Sequence, residues 1–163
     1  MGGDELMQAA MAGKLEQVRE LVARGIDINF VNRSGVSALM VACQWNQTQV
    51  VRFLLENGAD VELRERGSGH DALMYSCFSG NPDLVELVLR HGATIDATDA
   101  MGRSALMIAA SVGKAETVKV LLRTGANADL RDHSGATALD WARESGHRAL
   151  ADLFPAKGRR KGR

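Results

Sequence analysis

Apolar residues fall at helical spacing in pairs of short blocks, and each pair recurs after about 33 residues. In the first block, Ala38, Leu39, Val41, Ala42 and Cys43 correspond to Ala72, Leu73, Tyr75, Ser76 and Cys77, then to Ala105, Leu106, Ile108, Ala109 and Ala110. In the second, Val50, Val51, Phe53, Leu54 and Leu55 match Leu84, Val85, Leu87, Val88 and Leu89, then Thr117, Val118, Val120, Leu121 and Leu122. The pattern predicts two helices per unit. Small residues let the first helices approach closely, and bulky ones on the second fill the space between. Neither block is long enough to bury its face alone, so neighbouring units must supply the core.

The polar positions keep the same period. Gly35, Gly69, Gly102 and Gly135 are 34, 33 and 33 residues apart. Gly25, Gly58, Gly92 and Gly125 form a second row, and Gly13, Asn46, Gly80, Gly113 and Gly146 a third. Ser37, Asp71, Ser104 and Thr137 each precede an Ala-Leu pair, where a side-chain oxygen can cap the first helix. Asn81-Pro82 places a capping residue before a proline at the first helical position. The row from Gly25 suits the left-handed residue that ends a helix. An extended finger follows each, as at 59–64 and 126–131, leading to a turn at the next Gly.

This order resembles the ankyrin repeat, whose helix start reads Thr-Pro-Leu-His and whose end reads Leu-Leu-x-x-Gly-Ala-Asp. Leu54-Leu55-Glu56-Asn57-Gly58-Ala59-Asp60 and Leu121-Leu122-Arg123-Thr124-Gly125-Ala126-Asn127 are close copies. The resemblance implies an all-α solenoid of helix-turn-helix units with β-turn fingers. It covers one domain over residues 1–154, with units near 4–31, 32–64, 65–98, 99–131 and 132–154. The outer two units act as caps. The family's Pro and His are absent: Met40, Met74 and Met107 stand at the His position, so packing must replace its polar ties. Ser68 is a one-residue insertion between Glu65 and Gly69, so that finger should differ from its neighbours. Gly2 and Gly3 fall outside the repeat.

In this family the partner lies against the finger tips and the exposed face of the first helices. By position, that implies a protein or peptide partner touching Arg33, Val36, Gln44, Trp45, Arg66, His70, Phe78, Met101, Arg103, Val112 and His133. Trp45, Phe78, Met101 and Val112 would form an apolar gripping strip; the competing reading packs Trp45 and Phe78 as peripheral core. Arg33, Arg64, Arg66, Arg103 and Arg131 would suit an acidic segment, unless Glu62, Glu65, Asp99, Asp129 and Asp132 neutralise them.

Other chemistry finds no foothold in the sequence. The 163 residues carry 20 basic and 20 acidic side chains, but Lys157, Arg159, Arg160, Lys161 and Arg163 close the chain. Residues 1–156 therefore hold 15 basic against 20 acidic, a net of −5, which argues against a nucleic-acid-binding body. Cys43 and Cys77 read as buried small hydrophobes, and His70, His91, His133 and His147 as surface residues without metal spacing. No phosphate loop or paired acid and base stands out, and no cofactor or small-molecule substrate is expected. No apolar run approaches the roughly 18 residues of a membrane helix. The sequence predicts a monomeric, non-enzymatic adaptor, scaffold or inhibitor of the cytoplasm. The tail 155–163 is expected to be disordered, and offers a nuclear-targeting or nucleic-acid role as the alternative.

Overall fold

The computed structural model describes residues 2–155; the basic tail beyond Pro155, and the expectations placed on it, lie outside the described residues. Among the described residues nine α-helices run in order: α1 Gly2–Met11, α2 Leu15–Ala23, α3 Ala38–Gln44, α4 Thr48–Glu56, α5 Ala72–Ser79, α6 Pro82–Arg90, α7 Ala105–Ser111, α8 Ala115–Thr124 and α9 Ala138–Glu144. A 3₁₀ helix, Arg148–Leu153, ends them. Odd-numbered helices form an inner row, each packed on the next, and even-numbered helices an outer row that the 3₁₀ helix completes.

Each inner helix from α3 onward starts where the sequence places its cap. The side chains of Ser37, Asp71, Ser104 and Thr137 accept hydrogen bonds from the backbone N–H of Met40, Met74, Met107 and Asp140. These helices have only seven or eight residues, so their stability comes from packing. Ala42, Cys43, Ser76, Cys77, Ala109, Ala110 and Ala142 are fully enclosed and set the close approach of the inner row. Leu39, Leu73 and Leu106 are buried beneath it, with Val51, Leu54, Val85, Val88, Val118 and Leu121 from the outer row. Truncating one of these leucines to Ala would cost about 2–5 kcal/mol, because a neighbour on each side limits collapse of the cavity.

The methionines at the helix starts are buried to within 1% of full enclosure, which bears out packing in place of the polar tie. Met40 keeps a remnant of that tie, as its Sδ accepts the Ser37 N–H at 3.5 Å. Between inner and outer helices the chain turns through the left-handed region, at Gly13, Gly80, Gly113 and Gly146, and at Asn46 with φ 56°. Asn is among the few residues that tolerate this. Its side-chain oxygen accepts from Asn81 Nδ2 at 2.7 Å, linking two units.

Two expectations need correction. The fingers are not continuously extended. A tight turn interrupts each one, and only the bridges Val31–Ser37 and Thr98–Ser104 have strand pairing among the described residues. Local bonds close these turns, as Phe30 N to Asp27 O at 3.1 Å, and a side-chain ladder links one turn to the next. Asn29 accepts the N–H of Asp60, Glu62 that of Thr94, and Asp96 that of Asn127, at 2.8, 2.9 and 2.9 Å. All three acceptors lie four residues past the helix-ending glycine. Gly2 and Gly3 also belong to the fold: they open α1, where Gly3 is buried and a Cβ would run into the Phe30 ring.

Candidate binding surface

The finger turns are built by a short polar side chain folded back on its own backbone. Asn32 Oδ1 accepts from the N–H of Ser34 and Val36 at 2.9 and 3.0 Å. Asp99 Oδ1 does the same for Met101 and Arg103, and Asp132 Oδ1 for Ser134 and Ala136. In these three fingers the closing glycine donates to the carbonyl three residues back. In the second finger Gly69 donates to Glu65, four residues back, so the inserted residue widens the turn as the sequence predicts. The extra reach is bridged by Ser68, whose hydroxyl donates to Glu65 Oε2 and accepts the His70 N–H at 3.1 Å. Backbone bonds then join finger to finger: Arg66 N to Ser34 O at 2.7 Å, Ala100 N to Ser68 O at 2.8 Å, His133 N to Met101 O at 3.0 Å.

Two of the finger acids also receive a donor from an inner helix. Tyr75 Oη donates to Glu65 at 2.8 Å, and Trp141 Nε1 to Asp132 at 2.8 Å. These residues share one position of the inner helix, which Ile108 holds in α7. Ile108 has no donor, so Asp99 takes Arg103 at 2.8 Å and faces His70 Nε2 at 3.3 Å instead. Hydrogen bonds from Ser68 and then Tyr75 hold the Glu65 carboxyl below the usual range. Burial would raise Asp99 and Asp132, but donors from Arg103 and Met101, and from Ser134, Trp141 and Ala136, more than offset it and lower both. Asp71 goes the other way. Burial outweighs its bond to Met74 and the Arg64 guanidinium 3.7 Å away, and raises it.

Of the residues singled out from sequence, Arg33, Gln44, Trp45, Arg66, Met101 and His133 are exposed, Trp45 by 57% and Met101 by 54%. Val36, His70, Phe78, Arg103 and Val112 are half-buried. The four-residue apolar strip is therefore interrupted. Phe78 packs on His70 and Tyr75, with ring centroids 5.4 and 6.4 Å away, as the competing reading has it, whereas Trp45 stands free of the core. His70 is not a surface histidine, because this cluster and Asp99 enclose it. Sequence reasoning missed Met7, Met11 and Val41, which line an apolar hollow of about 200 Å³ with Asp4 and Gln8. Met11 occupies in the first unit the position of Gln44 and Phe78, but that unit reads as a cap.

Of the acids named from sequence, Asp99 alone pairs with one of these arginines, Arg103, among the described residues; Arg64 pairs with Asp71 instead. Arg64 donates to Thr98 O at 2.7 Å and lies near Asp71, Arg131 donates to Gly135 O at 2.6 Å, and Arg66 reaches Arg33 O at 3.4 Å. Glu62, Glu65 and Asp132 are committed to the bonds above, and the Arg33 guanidinium has no partner among the described residues.

Cys43 and Cys77 are free, fully buried thiols; burial pushes Cys43 up to about 12 and raises Cys77 as well. Such thiols are inert small hydrophobes. Among the described residues no cluster of three or more His, Cys, Asp or Glu side chains is arranged for a metal, and no helix is long and apolar enough to cross a membrane.

A family model for ankyrin repeats in three copies matches residues 6–99 and again 92–161. An ankyrin repeat protein of fowlpox virus is 35% identical over 99 residues, covering 60% of this chain and 29% of that protein. An ankyrin repeat and KH domain-containing protein of Caenorhabditis elegans is 35% identical over 88 residues, 54% of this chain and 3% of that one. Serine/threonine-protein kinase 12 of Arabidopsis thaliana is 34% identical over 92 residues, 56% and 20% respectively. The chain thus matches less than a third of the length of each of these relatives. With the capped inner helices, the outer row and the linked fingers, these matches establish that the chain belongs to the ankyrin-repeat family, whose repeats are general protein–protein interaction modules.

Proposed function

We propose that this chain is a non-catalytic adaptor, scaffold or inhibitor that holds a protein or peptide against its finger tips and inner helices. Its five units, at 4–31, 32–64, 65–98, 99–131 and 132–154, act as one domain that works as a monomer in the cytoplasm or nucleus. The observation that carries this reading is the exposure of Trp45 and Met101 on that side. Large exposed apolar side chains on an otherwise polar surface supply much contact area at small entropic cost. The two are exposed while the buried core is otherwise complete, so their truncation leaves the stack intact.

The test is a pull-down from cell extract with the wild-type chain beside Trp45→Ala, Met101→Ala, after circular dichroism shows equal helix content. A protein retained by wild type and lost from the variant supports the site. A partner held equally by both refutes it. Phe78 is left unchanged because its truncation would disturb the cluster with His70 and Tyr75.

A further inference from the structure

The charges of the fingers are segregated. Every acid in the four finger turns is turned inward: Asp71, Asp99 and Asp132 are buried and Glu65 is half-buried, all of them hydrogen-bonded. The exposed residues at the tips include Arg33, Arg66, Met101 and His133, and none of those exposed there is acidic. The finger-to-finger backbone bonds set these tips in one line. Beside the first two lies an open cleft of about 780 Å³, lined by Arg33 and Arg66, by Phe30 and Ser34, and by one acid, Asp4. Exposed acids lie on the outer helices at Glu16, Glu20, Glu56, Asp83 and Glu116, on the turns at Asp27, Asp60, Glu62 and Asp129, and on the two end helices of the inner row at Asp4, Glu5 and Glu144.

Resting on the proposed binding function, we infer that the partner contributes an extended acidic segment along the finger tips, its carboxylates meeting Arg33 and Arg66 and an apolar side chain meeting Met101. Guanidinium groups whose local acids are already occupied keep their donors for a partner carboxylate. Three inter-unit steps of about 8–10 Å span about 24–30 Å, which an extended segment of about seven to nine residues covers. A peptide is favoured over nucleic acid because residues 1–156 carry a net −5, and the exposed acids of the outer surface would repel a long polyanion. A short segment lies within a Debye length of the fingers alone.

The experiment pans a displayed library of random peptides on the intact chain and on Arg33→Glu, Arg66→Glu. The expected pool is rich in Asp and Glu around an apolar residue. Its members should lose about tenfold or more in affinity on the double reversal, weaken with added salt, and lose several-fold on Met101→Ser. A pool without acidic enrichment, an empty pool, or acidic peptides indifferent to the reversal overturns the inference. So does a labelled single-stranded oligonucleotide that binds as tightly as the best peptide and is lost on the same reversal. Neutral peptides lost only on Trp45→Ala overturn the acidic segment and leave the proposed function standing, which the pull-down decides separately.

Discussion

Thr117 is fully buried in α8, and its Oγ1 has no hydrogen-bond partner among the described residues. The matching positions in the two preceding units are Val50 and Leu84, both buried. Thr117→Val exchanges the hydroxyl for a methyl of nearly the same volume and keeps the β-branched stiffness, so neither helix propensity nor packing changes much. An unsatisfied buried hydroxyl costs about 1–3 kcal/mol, so its removal should stabilise the fold by about 1–2 kcal/mol. For a domain of this size that is about 2–4 °C in Tm per kcal/mol.

The assay is urea unfolding followed by circular dichroism, in which the variant should have a higher midpoint and an unchanged slope. Thr117→Ser, which keeps the hydroxyl and deletes the methyl, should fall below wild type by about 1 kcal/mol. A midpoint for Thr117→Val at or below wild type would show that the hydroxyl is satisfied in solution, and the reasoning would fail.

Asp71→Ala should cost about 1 kcal/mol through loss of the α5 cap, while Asp71→Ser, matching Ser37 and Ser104, should recover it; chemical denaturation compares the two. Tyr75→Phe and Trp141→Phe each withdraw a donor from a finger carboxylate and should cost about 1.5–3 kcal/mol by the same assay, Trp141→Phe the more because the Arg103 guanidinium also lies over its ring, 5.7 Å from the centroid. Stability should vary with pH. The carboxyls of Glu65, Asp99 and Asp132 are lowered in the fold, so their contribution is complete above about pH 4, the ordinary carboxylate value, and is lost as pH falls through their lower folded values. Asp71 is raised and opposes this trend, so Asp71→Ser should steepen the acid loss in a pH series of thermal melts. Asn46→Gly should change stability by under about 1 kcal/mol, because relief of a left-handed non-glycine residue offsets the lost bond to Asn81.

The repeat was legible because it rests on local chemistry repeated in register. A capping oxygen before Ala-Leu, a left-handed residue after each helix and alternating small and bulky blocks act within a few residues, so one sequence shows them. The aromatic assignments were not legible in the same way. Helical phase alone turns both Trp45 and Phe78 away from the core, yet only Trp45 stands free. What decides is the neighbouring finger: His70 folds over Phe78 and is held there by Asp99, 29 residues later in the chain. That contact depends on which side chain each acid accepts from, and spacing does not encode that choice.

The inserted residue shows how such non-local choices are made. Widening the second finger removes the short reach by which Asn32, Asp99 and Asp132 close their own turns. A longer acid, Glu65, and a hydroxyl, Ser68, restore the closure together. Glu65 thereby comes within reach of Tyr75, as Asp132 does of Trp141, and both acids are withdrawn from the surface. The arginines beside them are left without the partners that sequence proximity offers. Pairing charges by their distance along the chain fails at Glu65 and Asp132 because these two acids bond finger and inner-helix donors before any exposed guanidinium: those bonds are formed in a partly desolvated site, where they are worth more than an ion pair in water. The buried finger acids in this protein are thus structural, and exposed basic charge is left at the tips of the first two fingers.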